Sequence, residues 1–377
     1  MTTQERAPTP RTAASGTLHV RRAGASGTLV GAAGLVVLVV FAFMPVIVSE
    51  ADTTLLVNFF VLLTMAVMWN LLAGYAGMVS IGQQAFVGLG GYGVLVLAMN
   101  GFDPVAAIPV AAVVAALIAV PVSVLLFRLG GGYFAIATWV VADTAQIVVS
   151  SITSLGGGTG HPVPGLSSMS PHTFAETTYW AALAVVTVSL GIAYGLLRSP
   201  LGLLMAAVRD DEVSARSAGA RVMTTRRIVY VVAALGCGAA GGILAVSQLQ
   251  VQPSSIFSVQ WAAEMIFVSM IGGMGTLEGP ILGTVLFFVL QQNLAQDGAW
   301  YLIIFGAVAV LVAIWTPRGL WGAIRQRTGI ELFPVGYRLH GGARGLVTQA
   351  QLPDGGSAAG SNGPGSRAGA LWRRLRS

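Results

Sequence analysis

Runs of about 20 apolar residues recur along this chain, and they limit its fold more than any other feature. A helix needs about 20 mainly apolar residues to cross a hydrocarbon core of roughly 30 Å. The sequence supplies ten runs of about that size, at 29–49, 55–73, 78–99, 104–127, 133–152, 178–197, 227–249, 256–273, 279–294 and 299–316. Because backbone polar groups in lipid must be satisfied internally, these runs predict an all-α polytopic transmembrane bundle of about ten helices, eight to ten in all.

Three runs need separate interpretation. The run at 78–99 carries several glycines and the run at 279–294 is only just long enough, so either is expected to be broken or re-entrant. The first run follows Arg21 and Arg22 as a signal peptide would. It continues through Val48 without a clear small-residue cleavage site, however, and therefore predicts a membrane anchor.

The positions of the charges predict an orientation. The chain has 20 arginines and no lysine, and cytoplasmic loops of membrane proteins carry an excess of these cations. With the N-terminus inside, ten crossings place every arginine on the cytoplasmic side, and the external loops hold acids: Glu50, Asp52, Asp103, Glu176 and Asp297. Both termini are therefore expected to be cytoplasmic. Arginines in short clusters between apolar runs also argue against a nucleic-acid interface, which gathers its cations on one face.

Composition divides the chain into three parts. Residues 1–28 are expected to form a disordered cytoplasmic tail, and residues 29–322 a transmembrane domain with a cytoplasmic segment at 198–226. Residues 323–377 are rich in Gly, Ser, Ala and Pro and are expected to form a largely disordered cytoplasmic tail. Its basic end, 371–376, is a candidate for contact with membrane lipid, with a solvated end as the alternative.

An early motif, residues 70–88, is rich in glycine and amide side chains. Its glycines, Gly74, Gly77 and Gly82, allow close approach of helix backbones. Four polar residues of the motif are candidates to line a translocation path: Asn70, Ser80, Gln83 and Gln84. The alternative is that each of them holds helices together by interhelical hydrogen bonds.

A second motif, which we call the late turn, covers residues 272–280 between two apolar runs. Its glycines, Gly272, Gly273, Gly275 and Gly279, are expected to supply positive φ angles, and Pro280 to begin the next helix at its first position. A phosphate loop would need a lysine, and the chain has none, so nucleotide binding is not expected. No cysteine, histidine and carboxylate cluster suggests a metal site, and no paired set of catalytic residues suggests an intramembrane enzyme.

Residues 198–227 alternate charges of opposite sign. We expect a short helix with residues 210–212 near its start and Gly219 at its end, projecting toward a soluble partner; the alternative is a solvated loop. Two acids, Asp143 and Glu264, fall inside apolar runs, where carboxylates are costly. Trp139 and Gln146 share a helix face with Asp143. For both acids, a place on a polar path and a purely structural role stay open, and a proton-coupled secondary transporter using either acid is an alternative function.

Taken in order, these motifs resemble the permease subunits of branched-chain amino-acid ABC importers of the LivM type, over roughly residues 55–322. Segments 131–138 and 153–158 contribute to the resemblance. It implies a subunit of an ATP-driven importer that carries leucine, isoleucine and valine across the plasma (inner) membrane. Related permeases that carry urea, amides or other amino acids are the alternative.

The resemblance also implies partners and coupling residues. The partners are a second, LivH-type permease subunit, two ABC ATPase subunits that bind the ATP, and an extracytoplasmic substrate-binding protein. This chain would then be no enzyme and would bind no cofactor itself. The residues that would couple it to the ATPases are Arg209, Asp210, Asp211, Glu212, Ala215 and Gly219.

Overall fold

The computed structural model of the chain describes residues 19–21, 26–166, 169–294, 319–328, 333 and 338–340, with isolated positions between 303 and 314. Its helices are α1 Ser26–Ile47, α2 Glu50–Asn70, α3 Gln84–Met99, α4 Pro104–Leu126, α5 Gly132–Ser150, α6 Pro171–Arg198, α7 Pro200–Asp210, α8 Glu212–Ser217, α9 Val222–Ser247, α10 Pro253–Ile256, α11 Val259–Gly272, α12 Glu278–Leu294 and α13 Gly319–Thr328. Its strands are β1 His19–Arg21, β2 His161–Pro162, β3 Gln250–Val251 and β4 Arg338–His340.

These elements confirm the all-α polytopic membrane fold. Each of the first nine predicted apolar runs coincides with a helix. Within the described part of the chain, six helices are long and apolar enough to cross a membrane: Glu50–Tyr75, Pro104–Leu126, Gly132–Ser150, Pro171–Arg198, Val222–Ser247 and Pro253–Gly272. The tenth run, 299–316, lies outside the described residues apart from isolated positions.

The chain divides into two compact units, residues 24–335 and the two tails 1–23 and 336–377. In the tail unit, β1 pairs antiparallel with β4, with Val20 opposite Leu339. The remaining tail residues, including the basic end at 371–376, lie outside the described residues. Within the larger unit, α1 begins inside the segment expected to be the N-terminal tail, and α13 extends six residues beyond the expected boundary at 322.

Helices α2 and α9 form the centre of the larger unit. In each, 78% of the most apolar 18-residue window is buried, whereas only 22% of that window is buried in α5. Helix α2 packs on α6, α9, α11 and α12, while α3, α4 and α9 pack on one another. The contact of α3 with α9 is backbone to backbone, because a Cβ at Gly90 would overlap the carbonyl of Gly238. The peripheral α5 therefore presents most of its surface away from the core of this chain.

The early motif separates α2 from α3 by an irregular segment. Helix α2 continues into a π-helical turn at Leu71–Tyr75, residues 77–83 are not helical, and α3 begins only at Gln84. The break expected in the run 78–99 is therefore confirmed. Backbone groups of this break are paired inside the protein: the Trp69 indole donates to the carbonyl of Ser80 (2.7 Å), and Ile81 N donates to Thr138 Oγ1 (3.1 Å). Such pairing is what irregular backbone requires in lipid.

Two other runs each correspond to one helix. The run 279–294 forms the continuous helix α12, although its length suggested a break. The run 256–273, expected as one helix, corresponds to α11, and the short α10 before it ends at Ile256, the first residue of the run. Ser258 Oγ accepts a hydrogen bond from Gln260 N (3.2 Å), so that serine caps a new helix instead of continuing the first.

Candidate functional site

Asn70 joins the early motif to the late turn. Its Nδ2 donates to the carbonyl of Thr276 (2.8 Å), and its Oδ1 accepts from Gly275 N (2.9 Å). The side chain is only 1% exposed, and both polar atoms of its amide are hydrogen-bonded to backbone groups 205 and 206 residues away. Both polar atoms of the Asn70 amide are therefore bonded within the chain, as the hydrogen-bonding alternative expects.

Arg209, at the end of α7, reaches the same place from the segment 198–226. Its NH1 donates to the carbonyl of Gly74 (3.0 Å), while Nε and NH2 contact Asp210 Oδ1 at 3.0 and 2.9 Å. A Cβ at Gly74 would overlap Asn70 Oδ1 and Gly275 N, so the early motif and the late turn are in backbone contact. We call this cluster of Asn70, Gly74, Arg209, Gly275 and Thr276 the junction. It brings together all three motifs that the sequence singles out.

The glycines of the late turn divide into two kinds. Gly273 (φ +127°) and Gly275 (φ +77°) have the positive φ expected of them, whereas Gly272 and Gly279 allow close contact, because a Cβ at Gly272 would overlap the carbonyl of Gly279. Helix α12 begins at Glu278, so the prediction that Pro280 is its first residue is wrong. Pro280 still lies in the first turn, where a missing N–H leaves no intrahelical hydrogen bond unmade.

The polar residues of the break are completely buried. Ser80, Gln83 and Gln84 each have 0% exposure, and Gln83 Nε2 lies 3.5 Å from Ser80 Oγ. Among the described residues, neither polar atom of the Gln84 side chain has a hydrogen-bond partner, and Gln83 Oε1 has none either. A Cβ at Gly82 would overlap the carbonyl of Thr138, so the break packs directly on α5.

Helix α5 carries the predicted polar face. Trp139 is 43% exposed, and Asp143 and Gln146 are half-buried beside it. Within the described part of the chain, the carboxylate of Asp143 makes no hydrogen bond or ion pair, whereas Glu264 on α11 is buried and accepts from Gln260 Nε2 (2.9 Å). The two membrane acids thus differ, because one has a partner within the chain and the other has none.

The short helix expected near residues 210–219 is present as α8. Asp211 caps it by accepting from Val213 N (2.9 Å) and Ser214 N (3.2 Å), and Ser214 Oγ donates to Asp211 Oδ2 (2.6 Å). The Ser214 hydroxyl, followed by the two amides, holds the pKa of Asp211 below its ordinary value. Gly219 (φ +88°) lies just beyond the helix end.

Glu212 forms two ion pairs, one within α8 and one that joins α8 to α9. Glu212 Oε1 lies 2.8 Å from Arg216 NH2, and Glu212 Oε2 lies 2.9 Å from Arg226 NH2. Ala215 is buried against Val208 and Val222. The sequence did not single out Val213, which is 74% exposed at the outer surface of α8, because a lone valine in a polar segment gives no distinct signal.

No group of three or more His, Cys, Asp or Glu side chains among the described residues could hold a metal ion. The site therefore consists of four parts: the junction, the buried polar residues at the start of α3, the polar face of α5, and the short helix α8, which an ion pair joins to α9.

Sequence comparison gives relatives of the chain. LivM, the high-affinity branched-chain amino acid transport system permease protein of Salmonella typhimurium, is 26% identical over 327 residues, 79% of this chain and 76% of the relative. LivM of Escherichia coli is 26% identical over 325 residues, with the same coverage of both chains. The ribose import permease protein RbsC of Bacillus subtilis is 23% identical over 185 residues, 46% of this chain and 58% of the relative.

No solved structure matches the chain at a significant level. The family described as the permease component of the branched-chain amino acid transport system matches residues 53–313, which include α2 through α12 and all three parts of the junction. The chain therefore belongs to this family of branched-chain amino acid transport permeases.

Proposed function

We propose that this chain is one permease subunit of an ATP-driven importer for leucine, isoleucine and valine. One observation carries the proposal: in a chain of this permease family, two short helices, α7 and α8, lie between the spans α6 and α9, and they are bonded to the turn after α2 through Arg209 and to α9 through the Glu212–Arg226 ion pair. Such a segment is suited to the docking of soluble ATPase subunits. The chain has no lysine for a phosphate loop, so ATP would be bound and hydrolysed by partner subunits.

The outer surface of α8 is suited to those partners. Val213 offers an exposed apolar contact, flanked by Asp210 (68% exposed side chain) and Arg216 (63%). A small apolar centre with charges around it is the usual composition of a protein interface. We infer that two ABC ATPase subunits dock here and on the corresponding segment of a LivH-type permease, while an extracytoplasmic binding protein delivers the substrate.

The polar face of α5 is the best candidate for the translocation path. A carboxylate without a partner is costly at membrane depth, so Asp143 needs a polar group or water from outside this chain. The second permease, or a water-filled path between the two permeases, would provide it. The irregular segment before α3 packs on α5 at Thr138, and their unpaired amide atoms make Gln83 and Gln84 further candidates for the path.

Both termini would lie in the cytoplasm, at the plasma (inner) membrane. The pairing of β1 with β4 supports this proposal, because an even number of crossings would bring both tails to the same side of the membrane. The arginine distribution then selects the cytoplasmic side.

Reconstitution tests the proposal. The chain is assembled in proteoliposomes with candidate ATPase, second-permease and binding-protein subunits from the same organism, and uptake of radiolabelled leucine is measured with and without ATP. We expect ATP-dependent uptake that isoleucine and valine inhibit and urea does not. Uptake driven by a proton gradient without ATPase subunits would contradict the proposal and favour the secondary-transporter alternative.

Two variants on α5 test the path. Asp143→Asn should lower uptake, because it removes the unpaired charge from the polar face. Thr144→Val is the matched control, because Thr144 is exposed on the same helix and its hydroxyl bonds only to the Val140 carbonyl (2.7 Å). Equal uptake by both variants would remove Asp143 from the path.

A further inference from the structure

We propose that Arg209 is a positioning residue that ties the α7–α8 segment to the end of α2 and transmits its movement into the membrane core. The inference rests on the proposed function and goes beyond it, because it changes the role of one predicted coupling residue. The family resemblance implies that Arg209 couples the chain to the ATPases, but its guanidinium donates a hydrogen bond to the Gly74 carbonyl of this chain.

The contact geometry supports a mechanical link. Arg209 NH1 donates to the carbonyl of Gly74, 135 residues away, and its stem packs so closely on Gly77 that a Cβ there would lie 3.1 Å from Arg209 Cγ. The other guanidinium nitrogens hold Asp210 at the end of α7. One planar side chain thus fixes the end of α7 and the π turn after α2 relative to each other.

The carbonyl of Gly74 is a suitable attachment point. It belongs to the π-helical turn Leu71–Tyr75, at the end of α2, where carbonyl groups lack partners in the following turn. The negative end of the helix dipole lies there as well, so a cation is favoured. A charged donor gives a stronger hydrogen bond than a neutral one. π-helical turns are, moreover, frequent at functional sites.

From Gly74 the link continues to the late turn. The backbone of Gly74 contacts Gly275, and Asn70, one turn earlier on α2, holds residues 275 and 276. A displacement of α7 would therefore pull on the turn between α11 and α12 as well as on α2. Arg198 differs in this respect, because its NH1 donates to the Tyr194 hydroxyl on its own helix, α6 (2.9 Å).

The test compares Arg209→Ala with the control Arg198→Ala in the reconstituted transporter. Each variant removes one arginine from the segment 198–226, but Arg198 contacts Tyr194 on its own helix and is not part of the proposed docking surface. We expect both complexes to assemble and hydrolyse ATP, but leucine imported per ATP hydrolysed should fall about tenfold in Arg209→Ala and stay unchanged in the control. Arg209→Lys should recover part of the ratio, because lysine keeps the charge and one donor but not the planar fork.

Two results would overturn the proposal. One is an unchanged ratio in Arg209→Ala; the other is loss of assembly and ATP hydrolysis together with uptake, which would show a role in folding only. Hydrogen exchange on the isolated full chain tests the link without transport: the amides of residues 71–78 should exchange faster in Arg209→Ala than in Arg198→Ala. Equal exchange would refute the link, whereas a wild-type complex without ATP-dependent uptake would refute the proposed function instead.

Discussion

Replacement of Asn70 by alanine should weaken the fold more than its size suggests. The change leaves two backbone groups of the late turn without their partners, Gly275 N–H and the Thr276 carbonyl. A buried polar group that loses its partner costs about 1–3 kcal/mol. Both residues are only half-buried, so water reaches them in part, and we expect the free energy of unfolding to fall by about 2–4 kcal/mol in total.

Chemical unfolding of the detergent-solubilised chain, followed by tryptophan fluorescence, measures this loss. Asn100→Ala is the control, because the Asn100 amide bonds only to the Val96 carbonyl at the exposed end of its own helix. Such a surface change is expected to stay within about 0.5 kcal/mol. Asn70→Asp should fall between the two, because a carboxylate still accepts from Gly275 N but opposes the Thr276 carbonyl. Equal stability of Asn70→Ala and Asn100→Ala would refute the reasoning.

Three further predictions concern the junction, the break and α8. Gly74→Ala should yield less monodisperse protein in size-exclusion chromatography than Gly191→Ala, because the new Cβ overlaps the late turn in the first case and meets nothing within 4 Å in the second. Gln84→Met should keep or raise thermal stability, because the buried amide has no partner among the described residues, while lowering uptake in the reconstitution assay. The lowered pKa of Asp211 means that its cap stabilises α8 above the ordinary aspartate pKa and is lost as pH falls through the lowered value. Ser214→Ala should raise that pKa, which an NMR titration of the carboxyl group would detect.

The sequence predicts most of the membrane helices because lipid leaves the backbone few choices. An apolar run of about 20 residues must bond its own peptide groups, so its helical state follows from composition alone. Of the glycines between 82 and 93, only Gly82 lies in the non-helical segment, and the other four are inside α3, where small residues allow close packing. The capping Ser258 lies close to the predicted edge of its run, and α12 shows that a short run need not be broken.

The junction could not be assembled from the sequence. Asn70, Gly74, Arg209 and Gly275 were each singled out, but a single sequence contains no information about which distant residues meet. Asn70 was considered for the path because an amide at membrane depth is polar, and only the positions of Gly275 and Thr276 show that it is already bonded. Local spacing was more informative: Glu212 and Arg216 are four residues apart on one helix and do pair, whereas Arg226 on α9 had no such signal.

Buried polar atoms without a hydrogen-bond partner are concentrated in two neighbouring glutamines of the described chain. Six buried side-chain polar atoms lack a partner among the described residues, and three of them belong to Gln83 and Gln84. These glutamines follow Gly82, which packs on Thr138, and Asp143 lies on the same helix as Thr138, five residues further on. Each unpaired buried amide group costs about 1–3 kcal/mol, and a carboxylate facing lipid costs more. Because the same interior pairs Asn70 and Glu264, the amide atoms of Gln83 and Gln84 and the carboxylate of Asp143 are the groups for which we expect hydrogen-bond partners, such as water, that this chain does not supply.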